Sequence, residues 1–355
     1  MSKKMIVVYA GCGAGHKKAA QALSEFLNCP AIDILDFTPV FIKQLYQKGY
    51  LFITGNLSLI WAFLFELSKL PVIKTLMFLS NLIFFRDFLT FLSSLRPEII
   101  ISTHFFIPSL VSFHKGRTKL KNITFITDIG VHPVWIDKSV DMYFVATELT
   151  RQELESKGVN QNKIIVSGIP LRGGFFKPQD TSFLRKKLSL DDKESILFFS
   201  SDTGNIPFLR SVIESLKDDF NILVIYGKNK KLGDYFKRLN IPGLKSFPFY
   251  ENIWELMSLA LCVVSKPGGI TVFEAMSLKK PLIFTHYIWG QEKSNMGFVI
   301  KNNLGFYVKT PQQLMEKIYY IKNNPERIKN KFFLCIPDAR PILKDYIENI
   351  PEPQH

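Results

Sequence analysis

Ser265–Asn295, SKPGGITVFEAMSLKKPLIFTHYIWGQEKSN, decides how this chain is read. An apolar strand, Ala260–Val264, runs into it, and Pro267 with Gly268–Gly269 ends that strand. A helix-like run follows over Ile270–Leu278, then Lys279–Lys280–Pro281, then a second apolar strand over Leu282–Thr285. Strand, Gly-rich turn, helix, strand is the repeat of a doubly wound α/β domain. Such a turn leaves backbone N–H groups free at a helix N-terminus, where the helix dipole also favours an anion. Glycine lets a phosphate come close to the backbone. Glu274, about one turn inside the helix, is placed to take two ribose hydroxyls. Gly290–Gln291–Glu292 and Asn295 collect amide and carboxylate groups suited to sugar hydroxyls. Composition alone leaves an ordinary strand–helix turn equally open.

Working outward, Met5–Ala10 is another short apolar strand. Gly11, Gly13 and Gly15 follow, then His16, then a helical run over Lys17–Leu27. Ala31–Asp36 reads as a second strand. Glu98–Thr103, Ile123–Ile126, Asp141–Ala146 and Lys163–Gly168 read as further strands. Ser195–Ser200 and Asn221–Tyr226 open a second series. Asp128 stands just past a strand end, the sheet edge where α/β folds bind ligands; a loop-capping carboxylate is the plain alternative. His104 and His114 belong to no motif and read as structural.

SKPGGITVFEA with the later GQE and Asn295, the Gly-rich turn ending in Gly15–His16, and the Thr127–Asp128 … His132–Pro133–Val134–Trp135 … Val140–Ala146 series together resemble one family. It is the lipid-directed GT-B glycosyltransferases: monogalactosyldiacylglycerol synthases and diacylglycerol glucosyltransferases. The N-acetylglucosaminyltransferase of the peptidoglycan lipid precursor is a more distant relative. The resemblance implies a GT-B fold, two Rossmann-like domains facing a central cleft. Residues 1–172 would form the acceptor domain, 173–179 a hinge linker and 180–325 the UDP-sugar domain. Residues 326–355 would be a tail packed back on the first domain, with helical pieces interrupted by Pro337 and Pro341.

The implied reaction is inverting transfer of glucose or galactose from a UDP-sugar to the hydroxyl of 1,2-diacylglycerol. Asp128 would be the base, with His16 its partner or substitute. Ser201, Lys266, Gly268, Gly269 and Thr271 would hold the diphosphate, Glu274 the ribose, and Gln291, Glu292 and Asn295 the sugar. Gly15, His132 and Trp135 would shape the acceptor site. The Ser201–Asn205 loop departs from the family pattern, keeping Gly204 alone. The other readings are transfer of N-acetylglucosamine to a polyprenyl-diphosphate lipid, a UDP-sugar 2-epimerase, and a non-catalytic nucleotide-sugar-binding subunit.

The 355-residue chain is 47% hydrophobic and 14% aromatic, enough for two cores, and its formal net charge is +14. That charge favours an anionic partner. No nucleic-acid motif is present, so the expected anion is a phosphate substrate or a membrane surface. Four scattered cysteines fit a reducing compartment, and neither they nor any Asp-x-Asp pair implies a metal; no cofactor is expected. Val40–Leu95 is dense in Phe, Leu, Ile, Trp and Tyr, and Gly49–Phe65 carries no charge. That run is shorter than the roughly 20 apolar residues a spanning helix needs. It reads as helices lying in a membrane interface, with packing on the protein's own core as the competitor. The expected location is the cytoplasmic face of a bacterial cell membrane, peripherally bound.

Overall fold

A computed structural model describes residues 3–115, 120–200, 206–329, 331–332 and 336–350. They form two parallel sheets of six strands, in two compact units. Met1–Arg172, Ile288–Ser294 and Pro337–His355 make the first; Gly173–Tyr287 and Asn295–Ile336 make the second.

In the first unit the strands are β1 (Met5–Tyr9), β2 (Ala31–Asp33), β3 (Ile99–Ser102), β4 (Lys121–Phe125), β5 (Met142–Val145) and β6 (Ile164–Val166). Their order is β2-β1-β3-β4-β5-β6. These segments are continuously apolar because helices cover both faces of a parallel sheet. Ile6, Val8 and Ile100 pack on one face with Phe85, Phe88, Leu92 and Leu110. Val7, Ile99, Ile101, Ile123 and Phe125 face the other way, onto Ala20 and Leu23. The C-terminal helix Ala339–Glu348 adds Ala339, Leu343 and Ile347 to that second face.

Three local expectations are corrected. The first helix begins at Ala14, not Lys17, because Gly13 is the last extended residue (φ −153°, ψ 151°), so Gly15 and His16 lie in its first turn. The second strand stops at Asp33 rather than Asp36. The Asp33 carboxylate accepts the Leu35 N–H and turns the chain into a 3-10 turn, Ile34–Phe37. Pro341 does not break the C-terminal helix. It is the third residue of Ala339–Glu348, where an N–H would have no intrahelical partner in any case.

The chain winds from β1 out to β2, then returns across β1 to β3. The loops after β1 and β3 therefore meet at the point where the winding reverses, the usual ligand crevice of such sheets. Between β2 and β3 the chain runs through short helices, among them Tyr50–Asn56, Ser58–Leu67, Pro71–Phe84 and Arg86–Leu95. Phe85, Phe88 and Leu92 anchor this region to the core. Most of its apolar surface is not buried. Of the twenty-two exposed large hydrophobic residues among those described, fourteen lie within residues 40–83, with Leu59 86% and Ile83 74% exposed. Packing on the protein's own core, the competing reading of this segment, thus accounts for only part of it. No single described helix is long and apolar enough to cross a membrane. Two bent pairs, Val40–Gly55 with Ser58–Leu67 and Pro71–Phe84 with Arg86–Leu95, meet the length and composition test together.

The second unit contains β7 (Ser195–Phe199), β8 (Asn221–Ile225), β9 (Leu244–Phe247), β10 (Ala260–Ser265), β11 (Leu282–Phe284) and β12 (Gly305–Tyr307), in the order β12-β11-β10-β7-β8-β9. Its winding reverses between β7 and β10, so the loop after β10, the Gly-rich turn, stands at the crevice position. The loop after β7, Ser201–Asn205, lies outside the described residues. Gly173–Phe176 forms a 3-10 turn whose buried Phe175 packs edge-on against Trp254 at 5.7 Å.

Leu343→Ala empties a fully buried position under the first sheet. It is expected to destabilise that unit by about 2–5 kcal/mol, seen as a lower urea midpoint and earlier proteolysis at the C-terminus.

Candidate functional site

In the first unit, the site is built where β1, β3 and β4 end. Gly11 follows β1 with no room for a side chain: a Cβ there would lie 2.3 Å from Asp33 Oδ2. The Gly11 N–H donates instead to Asp33 Oδ1 at 3.0 Å. This contact shapes the turn that delivers His16. His16 Nδ1 is 2.6 Å from the Thr103 carbonyl oxygen, and Thr103 Oγ1 donates back to the His16 carbonyl at 3.0 Å. Thr127 Oγ1 lies 3.1 Å from the same Nδ1. A carbonyl only accepts, so Nδ1 carries the proton and Nε2 keeps its lone pair. His16 is half-buried by area, and its imidazole lies against the His104 ring at 4.6 Å. Desolvation pushes its pKa down to about 4, against a smaller opposing effect of the Thr103 hydrogen bond. At neutral pH the ring is an uncharged base.

Around it stand aromatic rings. His104 is edge-on to His16 at 4.6 Å, Phe105 stacks on His104 at 4.3 Å, and Trp135 lies 6.1 Å from His16. Burial, then the nearby His16, hold the His104 pKa well below the usual range. Asp128 is the residue after Thr127, in the bend that follows β4. Gly130, two residues on, faces Ser294: a Cβ on it would lie 2.4 Å from Ser294 Oγ. The Ile288–Ser294 segment thus reaches the Asp128 loop within the first unit.

His132 has both ring nitrogens engaged inside the protein. Nδ1 accepts the Val134 N–H at 3.2 Å, and Nε2 sits 3.2 Å from the Phe65 carbonyl and 3.3 Å from Ser68 Oγ. It fastens the His132–Trp135 loop to the apolar helices. Beside that loop lies a cavity of about 270 Å³, lined by Lys74, Met77, Phe78, Asn81, Phe105 and Phe106 among others. Lys74 Nζ donates to the Ile136 and Pro133 carbonyls, and burial lowers its pKa. Phe105 is common to this cavity and to the His16 cluster.

In the second unit, Gly268 precedes the helix Gly269–Ser277 and no side chain caps that helix. The amides of its first turn, with Thr271 half-buried beside them, are of the kind that suits an anion. Lys266 is half-buried just before it, its carbonyl accepting from Ser265 Oγ at 3.0 Å. Glu274 is buried in the second turn of this helix. Buried Asn295 donates to the Pro267 carbonyl at 3.0 Å, so it braces the turn directly. Glu292, in the Ile288–Ser294 segment of the first unit, is also buried and accepts the Ile288 N–H at 2.7 Å, closing the turn it sits in. Gln291 begins the helix Gln291–Lys301; its side chain, like Ser201, lies outside the described residues. Among the described residues no group of three His, Cys, Asp or Glu is placed to hold a metal ion.

Sequence reasoning missed Thr103 and His104 as partners of His16, Phe105 as the ring stacked on His104, and Asp33 as the support of the His16 turn. A signal existed for the first three: they follow a strand with no polar residue before Ser102, at the sheet edge where ligands bind. Asp33 carried none, since it sat inside an apparent strand.

Comparison with known proteins agrees with this division. Residues 16–171 match the model of monogalactosyldiacylglycerol (MGDG) synthase, and residues 206–332 match the glycosyltransferase family 28 C-terminal domain. A processive diacylglycerol beta-glucosyltransferase of Bacillus cereus (strain B4264) is 28% identical, over 99% of this chain and 95% of the relative. The protein of the same name from Bacillus subtilis (strain 168) is 28% identical, over 89% and 86%. Among solved structures, Acinetobacter baumannii MurG superposes with a TM-score of 0.61 at 13% identity, covering 98% of this chain and 100% of the other, a likeness of fold. In sequence the chain is similar to monogalactosyldiacylglycerol synthases and diacylglycerol glucosyltransferases, and its fold is that of the GT-B glycosyltransferases.

Proposed function

We propose that this protein transfers a hexose from a UDP-sugar to the free hydroxyl of 1,2-diacylglycerol, with inversion at the anomeric carbon. Glucose is the favoured hexose, because the relatives are named beta-glucosyltransferases. UDP-glucose is an α-glycoside, so a β product requires one displacement from the opposite face. Such a step needs one base at the attacking hydroxyl and stabilisation of the departing diphosphate.

The observation that carries this reading is the His16 imidazole. Its Nδ1 proton is committed to the Thr103 carbonyl, which leaves the Nε2 lone pair to take the hydroxyl proton as the new C–O bond forms. Asp128, on the adjoining loop, is the second candidate and would steady the imidazolium as it develops. The uncapped helix at Gly268–Gly269 with Lys266 and Thr271 would take the diphosphate, and Glu274 the ribose. Gln291 and Glu292 would meet the hexose, with Asn295 bracing the turn. Gly15 and Trp135 would border the acceptor hydroxyl. The cavity beside Phe105 would take the upper part of an acyl chain.

The acceptor is a membrane lipid, and the exposed apolar residues of positions 40–83 suit an interface. With a net charge of +14, binding to an anionic cytoplasmic leaflet follows. The proposed location is peripheral, on the inner face of a bacterial cell membrane.

Purified protein with diacylglycerol in anionic vesicles is expected to form glycolipid from UDP-glucose in preference to UDP-galactose or UDP-N-acetylglucosamine. His16→Ala is expected to lower kcat by about 10²–10⁴ with UDP affinity kept, and Asp128→Asn to cost less. Product from UDP-N-acetylglucosamine alone, or a larger loss at Asp128 than at His16, would reverse the corresponding assignment.

A pH series gives a second check. The unfolded chain protonates His16 near 6.5, whereas the folded protein resists until about 4. Between those values the unfolded state binds more protons, so stability falls as pH drops. The loss attributable to His16 is up to about 3 kcal/mol. His16→Gln is expected to flatten the urea-midpoint profile between those two pH values; an unchanged slope would exclude His16 as its source.

A further inference from the structure

Trp61 and Phe65 lie one helical turn apart in the helix Ser58–Leu67, on the same face. Trp61 Nε1 donates to the Trp289 carbonyl at 3.0 Å. The next residue, Gly290, has φ +95°, and a Cβ on it would lie 2.7 Å from the Phe65 ring. The ring therefore occupies the space that glycine leaves, and any larger residue there is both strained and blocked. Phe65 also packs edge-on to His132 at 4.6 Å. The opposite side of this helix touches no core: Leu59 is 86% and Phe63 66% exposed. One short helix thus holds the Trp289–Glu292 turn with one face and presents bare hydrocarbon with the other.

We propose that Trp61 and Phe65 are positioning residues for the hexose-binding turn Trp289–Glu292, and that seating Leu59 and Phe63 in a bilayer makes hexose recognition depend on the membrane. This rests on the UDP-sugar reading given above. A ten-residue helix is too short to be stable on its own in water. Its hold on the turn is then only as firm as its seating on the protein. A bilayer that covers the exposed face fixes the helix, and through Trp61 and Phe65 it fixes the carbonyl of Trp289 and the backbone of Gly290. Gln291 and Glu292 follow directly in the chain. A tether that merely concentrates enzyme near its lipid would not alter soluble-donor affinity. This arrangement does, and linkage makes it reciprocal: the sugar nucleotide must tighten vesicle binding by the same factor.

The test uses the full chain and phosphatidylglycerol/phosphatidylcholine vesicles without diacylglycerol. Dissociation constants for UDP-glucose and for UDP are measured by calorimetry with and without vesicles, and vesicle binding is measured with and without each nucleotide. Vesicles are expected to tighten UDP-glucose by about fivefold or more and to leave UDP unchanged. UDP-glucose should strengthen vesicle binding by the same factor. Trp61→Phe removes the N–H donor and keeps the ring; Phe65→Leu keeps an apolar side chain. Each should bring the factor towards one while vesicle affinity without nucleotide and UDP affinity stay as in the wild type. Equal effects on UDP and UDP-glucose, or none on either with vesicles bound, would overturn the coupling and leave the transferase reading standing. Absence of binding to both nucleotides would overturn the UDP-sugar reading and the coupling with it.

Discussion

The sheet edge of the first unit depends on one contact, the Thr103 carbonyl against His16 Nδ1 at 2.6 Å. It exists because β3 pairs with β1, with Ser102 in register with Val8, so the residue after each strand emerges at the same edge. A sheet wound in one direction would separate them. The contact satisfies a carbonyl that has left the strand ladder, and it determines which imidazole nitrogen remains basic. The Thr103 hydroxyl answers with a bond to the His16 carbonyl, so strand end and helix start are clamped at two points. Placing His16 in the first helical turn, rather than in the loop before it, makes this double clamp possible. Side-chain freedom is traded for a defined tautomer in a desolvated setting.

The parts of the structure legible in the sequence are those where burial dictates composition. Ala260–Ser265, Met5–Tyr9 and Ile99–Ser102 are strands covered on both faces, and they read as unbroken apolar runs. Boundaries failed where polar side chains act on the backbone. Asp33 ends its strand by accepting from Leu35, and Gly13 hands over to helix earlier than the alanine-rich pattern suggested. His132 sets Nε2 against the Phe65 carbonyl of the Ser58–Leu67 helix, and Asn295 donates to the Pro267 carbonyl; a motif match reveals neither contact. The Trp61–Trp289 bond joins residues 228 positions apart. Nothing in either local stretch announces it.

The apolar segment after β2 raises an energetic question. Covering one exposed leucine or phenylalanine is worth about 1.5–3 kcal/mol. Residues 40–83 leave fourteen large hydrophobic side chains exposed, more than scattered surface residues explain. The segment keeps a firm inner face nonetheless. Phe85, Phe88 and Leu92 are completely buried, and Lys74 spends its amine on the carbonyls of Ile136 and Pro133. A charge held inward among apolar helices leaves their outer surface free of cations at that point.

The breaks between these helices matter as much as their composition. Leu57 (φ −127°, ψ 50°) and Phe85 (φ −105°, ψ 24°) interrupt what would otherwise be long apolar helices. The pairs are bent by 116° and 66°. Bent in this way, neither pair threads straight across a bilayer, and each half turns its own side to the protein. The Ser58–Leu67 helix turns Trp61 and Phe65 to the Trp289–Gly290 backbone, and the Pro71–Phe84 helix turns Met77 and Phe78 to the cavity beside Phe105. An uninterrupted spanning helix would have buried the same side chains in lipid and left both places unsupported. The kinks therefore convert hydrophobic mass that resembles a membrane anchor into a platform touching both the His132–Trp135 loop and the Trp289–Gly290 backbone.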